Sequence, residues 1–234
     1  MPNRKALILK LLLTESEENE TLIIEKQLEL YNYDFSSFKI ENNDQLKDSL
    51  ESGEKFDIIY LSAHGDENGF ANEAGDYECS WKNFGELLYN SSCLDEDNIL
   101  LLSCCQGGLN KVAYDMFYIC PEIGYLCGPR LSLNSGEMLA GFSVFLFNCA
   151  YLGLDPTVSA EKVLKATDMR FKCFDRLDTI TETAFLVHTE VLEIIPVDLN
   201  QDGVKEGIIV NQKPRVKPIV YTEEDSEQQI EDSN

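Results

Sequence analysis

The chain has 234 residues, enough for one sizeable domain, or one domain with a small appendage. Its hydrophobic fraction of 44% is that of an ordinary globular protein. Nineteen Lys and Arg against 42 Asp and Glu leave a formal charge of −23. A field of that sign repels nucleic-acid phosphates and anionic lipid, which argues against both as partners, and it suits a basic partner or substrate.

Eight cysteines invite a disulfide framework, but the chain shows no secretory signature. Met1 to Leu13 carries Arg4 and Lys5 before an apolar run, Lys10 interrupts that run, and no small-residue cleavage site follows. The most apolar long stretch, Met138 to Leu154, is too short for a bilayer span. The expectation is a cytoplasmic protein with reduced thiols and no membrane segment.

In chain order, Lys5 to Leu13 reads as a buried strand, and Leu22, Ile23, Leu28 and Leu30 mark a first helix in a Glu-rich setting. A short helix over Gln45 to Ser52, capped by Asn43 or Asp44, precedes the apolar strand Phe56 to Ala63. Asp66 to Ser80 is a long acidic connection, either a plain exposed loop or one that binds substrate. Asn98 to Cys105 is a further buried strand, Leu109 to Tyr118 a helix, and Gly124 to Leu133 a fourth strand. Helices over Gly136 to Leu152 and Ser159 to Phe174 follow, the latter with Ser159 as its cap. Continuous apolar strands alternating with helices predict an α/β fold: a mainly parallel sheet sandwiched by helices, over residues 1–177. A β-rich extension over 178–221 is expected to pack on it. The last thirteen residues, 222–234, hold six acidic groups and no basic one and read as a disordered acidic tail.

Two strand ends carry chemistry. One apolar strand ends in His64-Gly65, and the next ends in Cys105, followed by Gln106-Gly107-Gly108 and a helix. In parallel sheets ligands bind beyond the carboxyl ends of the strands. A cysteine nucleophile needs a depressed pKa or a nearby base. A following helix favours a thiolate, and a histidine on the adjoining strand can take the proton and return it to a leaving amine. The backbone N–H groups of Gly65 and Cys105 are candidates for an oxyanion hole. Cys104 is the rival nucleophile, but alternating strand side chains let only one of the pair face the site, and the downstream glycines select Cys105. His188, in a strand-like run, reads as structural.

His-Gly after one apolar strand and Ser103-Cys104-Cys105-Gln106-Gly107 after the next resemble the caspase-like cysteine peptidases, a group that includes caspases, metacaspases, separase, gingipains and bacterial CHAT-type proteases. The interval 105 − 64 = 41 residues is similar to the caspase spacing of about 50. The resemblance implies Cys105 as nucleophile, His64 as base, a caspase-like fold and no required cofactor. It also makes control by a regulatory protein partner an expectation. Ser103 stands where metacaspases carry an acidic residue. Arg130, after the next strand, is a candidate for selecting an acidic substrate residue, while Asp66 and Glu67 beside the histidine would favour a basic one.

Asp198, Asn200, Asp202 and Glu206, with the turn glycine Gly203, have the spacing of a calcium loop, although the same residues also make a good hairpin turn. The remaining cysteines show no zinc spacing. Two functions are therefore expected: a cysteine endopeptidase acting on a protein or peptide through a thioester, or a caspase-like module without turnover that recruits a partner through its acidic surface.

Overall fold

Arg4–Lys10 forms the first strand, β1. Leu7 and Leu9 point to one face of the sheet and Ala6 and Ile8 to the other, all fully buried. That two-sided burial explains why the run is apolar without alternation. The computed structural model describes residues 4–11, 14–179 and 203, together with the backbone of 193–197 and 206–210.

The other elements follow in order: α1 Glu15–Leu30, β2 Tyr33–Lys39, α2 Asn43–Leu50, β3 Phe56–Ser62, β4 His64–Gly65, β5 Gly69–Ala71, β6 Glu78–Ser80 and α3 Trp81–Ser91. Then come β7 Leu94–Ser103, α4 Asn110–Ile119, β8 Tyr125–Pro129, α5 Ser135–Leu146 (extended by a π-helical turn, Phe147–Tyr151), α6 Pro156–Thr167 and β9 Phe171–Asp175. β10 Glu193–Val197 and β11 Glu206–Val210 form an antiparallel pair.

The central sheet has the order β2-β1-β3-β7-β8-β9. All neighbours are parallel except β8 and β9. The chain moves outward from β1 to β2, then reverses to β3, β7 and β8. Right-handed crossovers put helices on opposite faces when the direction reverses. Accordingly, α1 packs with α5 and α6 on one face, and α2, α3 and α4 cover the other. Trp81, Phe84, Val112 and Met116 fill the second face, while Ile24, Leu28, Phe142, Phe145 and Val163 fill the first. The expected helix-covered parallel sheet is the observed one.

Several local expectations change. In α1, Leu22, Ile23 and Leu30 are exposed, and the buried stripe is Glu20, Thr21, Ile24 and Leu28. α2 is capped by Asn42, whose side chain accepts from the amide of Gln45. α6 is capped by Asp155 with Pro156 at its first turn, not by Ser159, and it ends at Asp168, whose φ of 55° breaks the helix before β9. β2, β9 and α3 are elements that the apolar patterns of the sequence do not disclose. The connection 66–80 contains a hairpin, β5 with β6, that also pairs β5 with β4. All eight cysteines are free thiols. Among the described residues, no helix is long and apolar enough to cross a membrane. The tail 222–234, His188 and most of the extension 178–221 lie outside the described residues.

Candidate functional site

Strand parity decides which side chains meet at the carboxyl ends of β3 and β7. Along β7, Leu100, Leu102 and Cys104 face α3 and α4, whereas Ile99 and Leu101 face α1 and α5. Ser103 continues the second set, and Cys105 is half-buried against it. Along β3, Ile58 and Tyr60 face α1 and α5, and Ala63 turns to the opposite core. Ser62 pairs with Ser103, and the amide of Ala63 donates to the Ser103 carbonyl at 3.3 Å. Two residues beyond that pair stand His64 and Cys105. A Cβ on Gly65 would come 2.9 Å from the Cys104 Cβ and 3.0 Å from the Cys105 carbonyl oxygen. The two strand ends are thus in contact, and only glycine fits there.

Cys104 is 1% exposed. Burial, with Cys105 and Glu20 nearby, pushes its thiol well above the ordinary range, so it stays protonated. The Cys105 thiol donates to the carbonyl of Leu133 at 3.8 Å. After Cys105 the chain turns sharply through Gln106, at φ 61°. The amide of Gly107 returns to the Cys104 carbonyl at 3.2 Å and that of Gly108 to the Pro129 carbonyl at 2.8 Å. A Cβ at Gly108 would lie 2.1 Å from the carbonyl oxygen of Gly128. Arg130, 1% exposed, donates through Nη1 to the Gly108 carbonyl at 3.0 Å. Its guanidinium therefore braces the turn from inside and presents no charge to a substrate in this structure. Leu109 then leads into α4.

His64 is 52% exposed. Its Nε2 lies 3.2 Å from Glu73 Oε2, on the connection between β5 and β6. Glu17, from the first turn of α1, joins them: one potential ligand atom from each of Glu17, His64 and Glu73 lies within 4.8 Å of the others. The hydroxyl of Thr14 donates to the Glu17 carboxylate.

Asp66 uses its carboxylate locally, accepting the amides of Asn68 at 2.7 Å and Gly69 at 3.1 Å. Its carbonyl takes the Trp81 indole N–H at 2.9 Å, and the Glu67 carbonyl takes Lys111 Nζ at 2.7 Å. These bonds pin the hairpin to α3 and α4. An open cleft of about 340 Å³ runs beside it, walled by His64, Gly65, Asp66, Phe70, Glu78 and Ser80 among others. Cys105 is not part of that wall; its thiol faces the segment between β8 and α5.

Beneath the strand ends lies a buried polar cluster. Glu20 Oε1 accepts both the Tyr60 and the Ser103 hydroxyls, each at 2.6 Å. Burial pushes the Glu20 carboxyl up, an effect that the two hydroxyls partly offset. Ser103 is 3% exposed and is a partner of Glu20, with no surface to offer a substrate. Asp198, Asn200 and Asp202 lie outside the described residues, and Glu206 is described only in the backbone of β11.

Sequence reasoning singled out His64 and Cys105 but missed Glu17, Glu20 and Glu73. Glu20 left a signal: with Ile24 and Leu28 it repeats every fourth residue on the buried stripe of α1. Glu17 and Glu73 left none, since both sit in segments rich in other acidic residues.

The amino-acid sequence by itself matches no protein-family model and no curated relative. The fold does have solved counterparts. A secreted C11 cysteine protease from Bacteroides thetaiotaomicron, iotapain, aligns with a TM-score of 0.59 at 10% identity, over 80% of this chain and 70% of its own. A secreted C11 cysteine protease from the same organism, in complex with an irreversible peptide inhibitor, aligns with a TM-score of 0.57 at 12% identity, over 85% and 74%. An inactive zymogen C11 protease from Parabacteroides distasonis gives 0.52 at 10% identity, over 78% and 64%. With the strand order above, these likenesses give this chain the fold of the caspase-like cysteine peptidases.

Proposed function

We propose that the protein is a cysteine endopeptidase that cleaves a protein or peptide through Cys105 and His64 and needs no cofactor. One observation carries the reading: β3 and β7 are hydrogen-bonded parallel neighbours, and His64 and Cys105 follow the Ser62–Ser103 pair by the same two residues. The fold shared with C11 cysteine proteases supports it.

In this reading His64 removes the Cys105 proton, and the thiolate sulfur attacks the scissile carbonyl carbon. The carbonyl π electrons move to oxygen, where the N–H groups of Gly65 and Cys105 receive the developing charge. The tetrahedral intermediate collapses as the C–N bond breaks, and His64 returns the proton to the leaving amine. Water then attacks the thioester, delivering its proton through His64, and the carboxylic acid leaves the restored thiol. The buried turn at Gly107 and Gly108, held by Arg130, fixes the Cys105 backbone. Asp66 and Glu67 bias the cleft beside His64 toward basic substrates, and the free thiols fit a reducing, cytoplasmic setting.

A second reading is favoured by one contact pattern. The Cys105 thiol is bonded to Leu133 and His64 to Glu73, so each is engaged elsewhere. A caspase-like module without turnover, recruiting a partner through its acidic surface, would keep that arrangement permanently. A single comparison separates the two. Cys105→Ala should abolish both cleavage of a peptide library and labelling by a thiol-reactive peptide electrophile, while Cys104→Ala leaves both largely intact. Absence of cleavage by the unaltered chain, with Cys105 labelled no faster than a simple thiol, would establish the binding module.

A further inference from the structure

We infer that Glu17, His64 and Glu73 form a binding site for a divalent transition-metal ion such as zinc, and that its occupancy switches the peptidase off. The three residues come from separate parts of the fold: the first turn of α1, the short strand β4, and the connection between β5 and β6. Their donor atoms lie within 4.8 Å of one another. Zinc bonds to nitrogen and carboxylate oxygen are about 2.0–2.2 Å long, so two donors on one tetrahedral ion stand about 3.4 Å apart. His64 Nε2 and Glu73 Oε2, 3.2 Å apart, already have that spacing; closing the rest, about 1.4 Å at most, asks rotation of the exposed Glu73 and half-buried Glu17 carboxylates.

The donor set suits the ion. An imidazole with two carboxylates matches zinc and its neighbours better than calcium or magnesium, which take oxygen alone. Three protein ligands leave a fourth position for water. Thr14 holds the Glu17 carboxylate by a hydrogen bond, the outer support that metal ligands ordinarily carry. The electrostatics point the same way. Among the described residues, neither Glu17 nor Glu73 lies within ion-pair distance of a lysine or arginine. Two carboxylates are therefore gathered around one imidazole, with no lysine or arginine paired to either.

The consequence for catalysis is a matter of lone pairs. A neutral imidazole has one basic nitrogen. Once that nitrogen binds zinc, the other carries the proton, and the ring can no longer accept one from the Cys105 thiol. Binding releases a proton if the ring was charged beforehand. The inhibitory part rests on the peptidase reading above, whereas the binding part does not.

The test separates the two. In the full chain carrying Cys105→Ala, zinc affinity is measured by competition with a chromophoric chelator, and cobalt is used as a spectroscopic probe. The expected result is one bound ion with the weak visible bands of nitrogen and oxygen ligation. Glu17→Gln and Glu73→Gln should each lower the affinity roughly tenfold or more, while Glu18→Gln, at a residue paired with Lys39, should not change it. Unchanged affinity in both glutamine variants, or intense thiolate-to-cobalt absorption, would overturn the site. In the chain with Cys105 intact, zinc should stop peptide cleavage, and Glu73→Gln should raise the zinc concentration for half-inhibition by roughly the factor lost in affinity. Cleavage that persists with the site saturated would overturn the switch. Glutamate-dependent binding without cleavage in any chain would uphold the metal site and remove the peptidase reading.

Discussion

The carboxyl group of Glu20 sits directly under the strand ends, accepting from Tyr60 and Ser103 through a single oxygen. Burial raises its pKa above the ordinary 4.5. The folded state therefore favours the protonated acid, and the stability this contributes is complete below pH 4.5 and is lost as pH rises through the folded-state value. A glutamine keeps an oxygen for both hydroxyls and never ionises. Glu20→Gln should accordingly gain on the unaltered chain as pH climbs from 4.5 toward neutrality, read as the difference in urea midpoint at each pH. Parallel curves would show that Glu20 is already ionised at no cost. Glu20→Ala is the contrasting case, leaving two buried hydroxyls without their acceptor at about 1–3 kcal/mol each. Residue by residue, the candidate site was half legible. Adjacent cysteines at a strand end must face opposite ways, and Cys104 does fill the core. Glu20 was overlooked because a glutamate in an acid-rich helix reads as surface, although its fourfold spacing with Ile24 and Leu28 lies in plain view.

At the scale of elements, the turn from β7 into α4 shows how backbone contact without side chains holds a site in place. Gly108 and Gly128 approach so closely that a methyl group on Gly108 would meet the Gly128 carbonyl at 2.1 Å, well inside contact distance and against rigid backbone. Gly108→Ala must push β8 and the turn apart, breaking the Gly108-to-Pro129 bond and displacing Cys105. A loss of several degrees in Tm, together with at least a hundredfold fall in labelling of Cys105, is the expected outcome; misplacements of about 1 Å cost that much. Gly136→Ala serves as the comparison, since a Cβ there meets only Asn134 Oδ1, the cap of α5, at 3.3 Å and no backbone. Equal behaviour of the two variants would dismiss the turn as a support. The same scale shows which elements a sequence discloses. β1, β3, β7 and β8 are buried on both faces and read as plain apolar runs. β2 lies at the sheet edge with only Tyr33 buried, and its polar Tyr33–Lys39 sequence hides it. β9, the other edge, reads as a continuation of the preceding helix, because nothing in the composition of Ser159 to Phe174 announces the left-handed residue Asp168 that separates them. In α3, Gly85 dampens the helical signal, yet it is what lets the helix approach Ile119 of α4, 3.2 Å from where its Cβ would be.

For the whole molecule, the charge of −23 is a standing load on the folded state. Most carboxylates of the described residues lie on the surface, and compacting them raises their mutual repulsion. Salt relieves this, since the screening length falls from about 30 Å at 0.01 M to about 10 Å at 0.1 M and about 3 Å at 1 M. Added sodium chloride should therefore raise the thermal midpoint, most steeply at the low end of that range, where the screening length falls fastest. Lowering pH toward the isoelectric value near 4.3 discharges the same surface while protonating Glu20, so both routes should stabilise at low ionic strength. The two gains should not add, because a surface already neutralised by protons has little repulsion left to screen. A midpoint that falls with salt at neutral pH would mean that the surface ion pairs, such as Lys26–Glu29 and Lys39–Glu18, outweigh the self-repulsion. The excess of acid would then be organised around its few cations rather than opposed to folding.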